Sequence, residues 1–290
     1  VTGNGLDYDL LKEIPQEVAN TLKPTGNILA AHCRNNGGGA YVDMGIMKKV
    51  KRGDTFDNKA VQTATTVMPT QTYYTFECGP VELDLIFTAP MLMDDLEAMT
   101  APYNYITYQA RSLDGRTHEV QLYLEATPQW AVNTTDQPVT FEKIEKDGYV
   151  YLKTGSVDQE VLGKKGDDLR IDWGYFYICV QNGKAGWRKV KGETFVTAEA
   201  ALSEGNALFA FAYDDIDSIE YFKKPLKAYW KRSGKTIEEA IADAFAEYPA
   251  LCAREREFSQ TLTRKATEAG GEIYADMLTL AYRQVMAAHK

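Results

Sequence analysis

Histidine and cysteine are the residues best suited to nucleophilic or metal chemistry, and their spacing in this chain favours neither. His32, His118 and His289 fall in separate segments, with no HxxxH or HExxH pair to set two imidazoles on one helix face. His32-Cys33 has the composition of a base–thiol pair, yet neighbours along a strand point to opposite faces. Cys33, Cys78, Cys179 and Cys252 form no CxxC motif, and Cys78 and Cys179, inside apolar strands, read as buried free thiols. No GxSxG nucleophile elbow occurs. Neither a metal nor another cofactor is expected.

Carboxylates and one arginine offer more. Asp94, Asp95 and Glu97 make an acidic stretch between predicted strands, and Asp214, Asp215 and Asp217 make a second. Neither has the spacing of a calcium loop, so each reads as a solvated turn or as the lining of a polar pocket. Arg283 and Gln284 interrupt an otherwise apolar helical pattern. A charge there is either paired in a buried salt bridge or faces a cavity, where a guanidinium can clamp a substrate carboxylate. Asp94, Asp95, Arg283 and Gln284 are therefore the candidate substrate-binding residues, with the catalytic residues unassigned.

The elements that would position them are mostly strands. Residues 72–78 and 81–87 flank Gly79-Pro80, and residues 105–111 and 118–126 flank a turn containing Asp114-Gly115, a dipeptide suited to a hairpin. Val120, Leu122, Leu124 and Ala126 alternate with polar residues, which puts one face on a core and one on water. Further strands are predicted at 139–144, 149–154 across Asp147-Gly148, 169–180, 208–213 and 219–222, and Asn182-Gly183 signals another hairpin. The run 175–180 is apolar on both faces, as suits a strand between two layers. So many short strands predict a mainly β chain built as an antiparallel sandwich.

After Pro225 the periodicity changes. Thr236-Ile237-Glu238-Glu239 is a capping box, and helical spacing then runs to Pro249. A second helix carries Leu251, Phe258 and Leu262 as far as Gly270-Gly271. Of the sixteen residues 273–288, twelve are apolar or aromatic and surround the whole helix. Such a helix must be covered on all sides, which predicts that the native polypeptide continues past Lys290. The opening stretch, residues 1–50, is mixed: a broken helical pattern at 10–22, a turn at 23–27, a short buried strand at 28–33, a glycine turn, and a strand at 40–46.

Bulk properties exclude some partners. A net charge of −9 with scattered Lys and Arg disfavours a nucleic-acid or anionic-membrane surface. No apolar run reaches the roughly 18–20 residues a helix needs to span a bilayer. The basic run 48–52 lacks aromatic partners and reads as a solvated linker. Asn133-Thr134-Thr135 fits a glycosylation sequon.

Two resemblances add to this reading. Gly26-Asn27-Ile28-Leu29-Ala30-Ala31-His32-Cys33 followed by Gly39-Ala40-Tyr41-Val42-Asp43-Met44-Gly45 resembles the last strands of a galactose-binding-like jelly roll. From about residue 60 onward the chain resembles the glutaminase A-like family. The resemblance is carried by Phe87-Thr88-Ala89-Pro90, Asp94-Asp95-Leu96, Pro102-Tyr103-Asn104-Tyr105-Ile106, Trp130, Asp172-Trp173-Gly174, Gly270-Gly271-Glu272-Ile273-Tyr274 and Leu280-Ala281-Tyr282-Arg283-Gln284. It implies a super-sandwich followed by an (α/α) toroid, of which only the first helices are present, and hydrolysis of glutamine to glutamate and ammonia. Together the two resemblances imply the end of a jelly roll at 1–52, a sandwich at 53–228 and the helical start of the toroid at 229–290, with a secreted or periplasmic location and the rest of the toroid as a partner in the same or another chain. The alternative is a glycan-directed hydrolase or carbohydrate-binding module of similar architecture.

Overall fold

A computed structural model describes residues 13–30, 32, 34, 58–164, 170–190, 193–201 and 206–287. The chain divides into two compact units, residues 1–57 and 58–290.

In the first unit, Pro15 opens a single helical turn, α1 (Gln16–Ala19). The predicted turn at 23–27 is present, with Gly26 at a φ of 79°. The Asn27 side chain ties it by accepting from the Lys23 amide at 2.9 Å and donating to the Lys23 carbonyl at 2.6 Å. The buried strand expected from Ile28 is not formed. Ile28 is 93% exposed and residues 28–30 have no strand partner among the described residues. Cys33, the glycine turn and the predicted strand 40–46 lie outside the described residues.

The second unit is mainly β with antiparallel sheets and a C-terminal helix. Its strands are β1 (Val61–Val67), β2 (Gln71–Cys78), β3 (Val81–Thr88), β4 (Tyr103–Ser112), β5 (Gln121–Ala126), β6 (Val139–Lys146) and β7 (Tyr149–Ser156). They continue as β8 (Tyr175–Gln181), β9 (Lys184–Val190), β10 (Glu193–Ala201), β11 (Asn206–Asp214), β12 (Ile219–Tyr221) and β13 (Lys224–Leu226). Eight of them form one sheet in the order β1-β2-β3-β4-β11-β8-β7-β6, and β5-β10-β9 form a second. A short ribbon pairs β12 with β13.

Two-residue turns at Gly79-Pro80 and Asp147-Gly148 close the hairpins β2–β3 and β6–β7 as predicted. Asp147 and Gly148 have φ of 53° and 81°, the left-handed pair that matches strand twist. The other two turns are not hairpins. Asp114-Gly115 carries the chain from β4 in the large sheet to β5 in the small one, and Asn182-Gly183 carries it from β8 to β9. Gly183 is needed there because a Cβ would meet the Glu199 carbonyl oxygen at 2.4 Å. Strands β1, β9, β10 and β13 have no counterpart among the predicted strands. Cys78, expected buried, is exposed near the β2–β3 turn, whereas Cys179 is fully buried.

The large sheet has two buried faces. Ile106, Tyr108, Phe176, Ile178, Val180 and Phe209 pack towards Val196, Ala198 and Ala200 of the small sheet. Tyr105, Tyr151, Tyr177, Cys179 and Ala210 pack on the opposite side against Ile237, Ile241, Ala244 and Phe245. Strand β8 thus splits its alternating side chains between two cores, as its doubly apolar sequence requires.

Between β3 and β4 lies α2 (Leu96–Met99); the C-terminal stretch α3 (Ile237–Ala287) starts at the predicted capping box. Glu239 accepts from the Thr236 amide at 2.9 Å while the Thr236 hydroxyl accepts from the Glu239 amide at 3.3 Å. Pro249, expected to end a helix, lies inside it instead. The real break is Gly271, at φ 83° and ψ −177°, which divides α3 into arms 237–270 and 272–287. No helix of the described residues is long and apolar enough to cross a membrane.

Candidate active site at the sheet–helix joint

The first arm presents a stripe to the large sheet at helical spacing: Ile241, Ala244, Tyr248, Leu251, Glu255 and Ser259. Glu255 stands in this stripe where an apolar residue belongs. It is 0% exposed, and neither carboxyl oxygen has a hydrogen-bond partner among the described residues. Burial pushes its pKa up to about 8, with the nearby Arg254 acting in the opposite direction, so the carboxyl holds its proton at neutral pH. An unsatisfied buried polar group costs roughly 1–3 kcal/mol. Such a group is a poor stabiliser and a good functional candidate.

Buried polar residues also occur at the strand ends that meet this arm at Ser259. Thr70, Gln71, Thr72 and Thr88, at the ends of β2 and β3, are all buried, as is Ser259 one turn beyond Glu255. Thr70 Oγ1 lies 3.4 Å from Ser259 Oγ, joining the strand end to the helix. Gln71 donates to Thr88 Oγ1 at 3.0 Å and accepts from the Tyr73 hydroxyl at 2.5 Å. The Tyr248 hydroxyl donates to Thr107 Oγ1 at 3.1 Å. Cys252, one turn before Glu255, is pushed up to about 11 by burial and is held as a thiol.

The second arm closes the joint from the other side. Arg283 Nη1 donates to the carbonyl oxygens of Met68 at 2.9 Å and Gln71 at 3.3 Å. Its guanidinium thus grips backbone carbonyls of the strand loop through Nη1. Tyr282 donates to the Met91 carbonyl at 2.5 Å and packs against Phe258. Gln284 is exposed.

Asp95 also has a structural task. Its Oδ1 caps α2 by accepting from the amides of Glu97 at 3.0 Å and Ala98 at 3.2 Å, and its Oδ2 lies 2.7 Å from Arg254 Nη2. The Arg254 hydrogen bond holds the carboxyl below its usual range against a smaller opposing effect of burial. Asp94 is exposed and contributes charge near Tyr282. The fold therefore brings Asp94, Asp95 and Tyr282–Gln284 to one end of the sheet, close to Glu255.

The remaining candidates are absorbed elsewhere. Asp214 pairs with Lys231, and Glu97 with Arg232. His118 Nε2 lies 2.8 Å from Asp114 Oδ1 in an exposed turn. His32 is exposed, and His289 lies outside the described residues. No group of three potential metal ligands occurs among the described residues.

A domain of unknown function, DUF5127, matches residues 70–207, a span that ends before the helical arms and excludes Glu255. The chain is also similar to glutaminase A of Aspergillus oryzae (strain ATCC 42149 / RIB 40), at 21% identity over 266 residues. That match takes in 78% of this chain and 38% of the relative, so the chain spans about two-fifths of the relative's length. The similarity is distant and covers only part of that relative.

Proposed function

We propose that the chain is the front portion of an amidohydrolase of glutaminase type, converting glutamine and water to glutamate and ammonia. The similarity to glutaminase A, which takes in 78% of this chain, is the observation that carries this reading. In it, the two facing sheets are a super-sandwich, the arms of α3 open an (α/α) toroid, and the remaining toroid helices cover the arm 272–287. A secreted or periplasmic location and a galactose-binding-like module at residues 1–52 belong to the same reading.

Amide hydrolysis adds water across the carboxamide carbon, breaks the C–N bond and needs a proton on the departing nitrogen. Glu255 is the carboxyl held protonated at neutral pH, and we assign it as the proton source at the joint. It is fully buried, so delivery requires the joint to open. Asp94 and Gln284, exposed at the same end, are the groups we assign to face substrate, beside Arg283 and Asp95.

The test is ammonia release from glutamine by the full-length product. Turnover supports the reading, and its absence, with activity on an oligosaccharide instead, overturns it. In an active enzyme, Glu255→Gln should lower kcat by roughly 100-fold or more, the typical weight of a general acid. Unchanged turnover in that variant would remove Glu255 from the chemistry while leaving the glutaminase assignment intact.

A further inference from the structure

On the large-sheet face opposite the helical arms lies an open cleft of about 640 Å³ around Trp130. Its segment is firmly anchored. Pro128 opens a 3₁₀ turn, Pro128–Ala131, and Ala131 and Val132 are buried at 0% and 5% exposure. Trp130 nevertheless stays 66% exposed. One face of its indole stacks on Phe176 of β8, with ring centroids 5.7 Å apart and planes 16° from parallel. The other face is turned away from the core.

Around this flat surface stand Gln129, Asn133, Thr134, Thr135 and Arg170. Asn133, Thr134 and Arg170 are held in place before any ligand arrives. Gln137 Oε1 accepts from the Asn133 amide at 2.6 Å and the Thr134 amide at 3.0 Å, and Gln137 donates to the buried Asp172 at 2.9 Å. Lys164 pairs with the same Asp172 carboxylate. Arg170 is pinned by its amide to Asn133 Oδ1 at 3.0 Å and by Nη1 to the Asn133 carbonyl at 3.2 Å. A pre-ordered cleft binds without the cost of immobilising its own side chains.

We propose that this cleft binds a pyranose ring of a glycan. A pyranose offers a face of C–H groups that stacks on an indole and a rim of hydroxyls that meets amides, hydroxyls and a guanidinium. The volume lies within the range of small-ligand sites. An indole left two-thirds exposed gains little from burial, so stability does not account for its position. Nucleobases also stack on tryptophan, but a chain of net charge −9 repels phosphate. The site lies on the other face of the sheet from Glu255 and is independent of the amidohydrolase reading.

Calorimetric titration of the 290-residue chain with laminarihexaose, cellohexaose, mannohexaose and chitohexaose tests the proposal. At least one should bind saturably at millimolar concentration or below, and Trp130→Ala should weaken it by about tenfold or more. The control is Trp187→Ala, because Trp187 is 48% exposed and stacked on Phe141 at 5.7 Å but lies outside the cleft. Gln129→Ala, which alters only an exposed side chain, should also weaken binding without moving the unfolding midpoint. No saturation by any of the four sugars overturns the proposal. So does equal binding by the Trp130 and Trp187 variants. Ammonia release from glutamine by a full-length Trp130→Ala enzyme should match the unsubstituted enzyme, which separates the two readings.

Discussion

Glu255 occupies a stripe position where leucine would do more for stability, and that mismatch has a pH signature. Its folded-state pKa, raised to about 8, lies above the ordinary carboxyl range of an unfolded chain. Below that range both states are protonated and the site costs nothing beyond its unmade hydrogen bonds. As pH rises towards 8 the unfolded chain releases the proton and the folded one retains it, so stability falls; above the folded pKa the loss is complete. Urea unfolding from pH 4 to 9 should show the unsubstituted chain losing a few kcal/mol relative to Glu255→Gln. Parallel pH profiles for the two proteins would show that Glu255 ionises freely in the fold. Arg283 was legible as a special position because a charge broke an apolar helix, but its partners are backbone carbonyls, which no side-chain pattern announces.

Among the elements, α3 depends most on a single backbone conformation. Gly271 sits at φ 83° and ψ −177°, a region that a residue with a Cβ enters only at a cost. A Cβ there would meet nothing within 4 Å, so the penalty of Gly271→Ala is purely conformational. We expect a loss of about 1–3 kcal/mol, measured by denaturant unfolding. Alanine in helical geometry would run the two arms into one rod and draw Tyr282 and Arg283 from the strand loop they hold. Gly270-Gly271 was readable as a break because paired glycines interrupt helices. Pro249 was misleading: its missing donor marked an end in the sequence, yet packing of Phe245, Leu251 and Phe258 on the sheet carries the helix through.

At the scale of the whole molecule, the second arm shows what the rest of the chain leaves uncovered. Ala275, Thr279 and Tyr282 are buried, while Ile273 is 78% exposed, Met277 63% and Leu280 53%. These three follow i, i+4, i+7 spacing along one face, an apolar stripe facing water. The 290-residue chain should therefore self-associate, and the double variant Ile273→Lys, Met277→Glu should shift it towards monomer in light scattering. Its unfolding midpoint should change little, since neither side chain is packed. A monomeric unsubstituted chain would show that the stripe is not sticky in this fold.

The sequence by itself determined the β-rich character, the Gly79-Pro80 and Asp147-Gly148 hairpins, the capping box at Thr236 and the break at Gly270-Gly271. Each is set by local preferences: alternation, positive-φ turn residues and reciprocal caps. Only the tertiary structure decided which turns cross between sheets, because Asp114-Gly115 and Asn182-Gly183 have the same local chemistry as a hairpin and differ only in where the next strand finds partners. It alone brought Ser259, one turn beyond Glu255, against Thr70, 189 positions away in a chain that gives no local sign of the contact. Glu255 was traceable as one acid within the helical stripe from Ile241 to Ser259. Trp130 was traceable as a lone tryptophan among amides and hydroxyls. Burial made one a neutral acid and exposure made the other a platform, because both properties depend on what packs around a side chain and not on its neighbours in sequence.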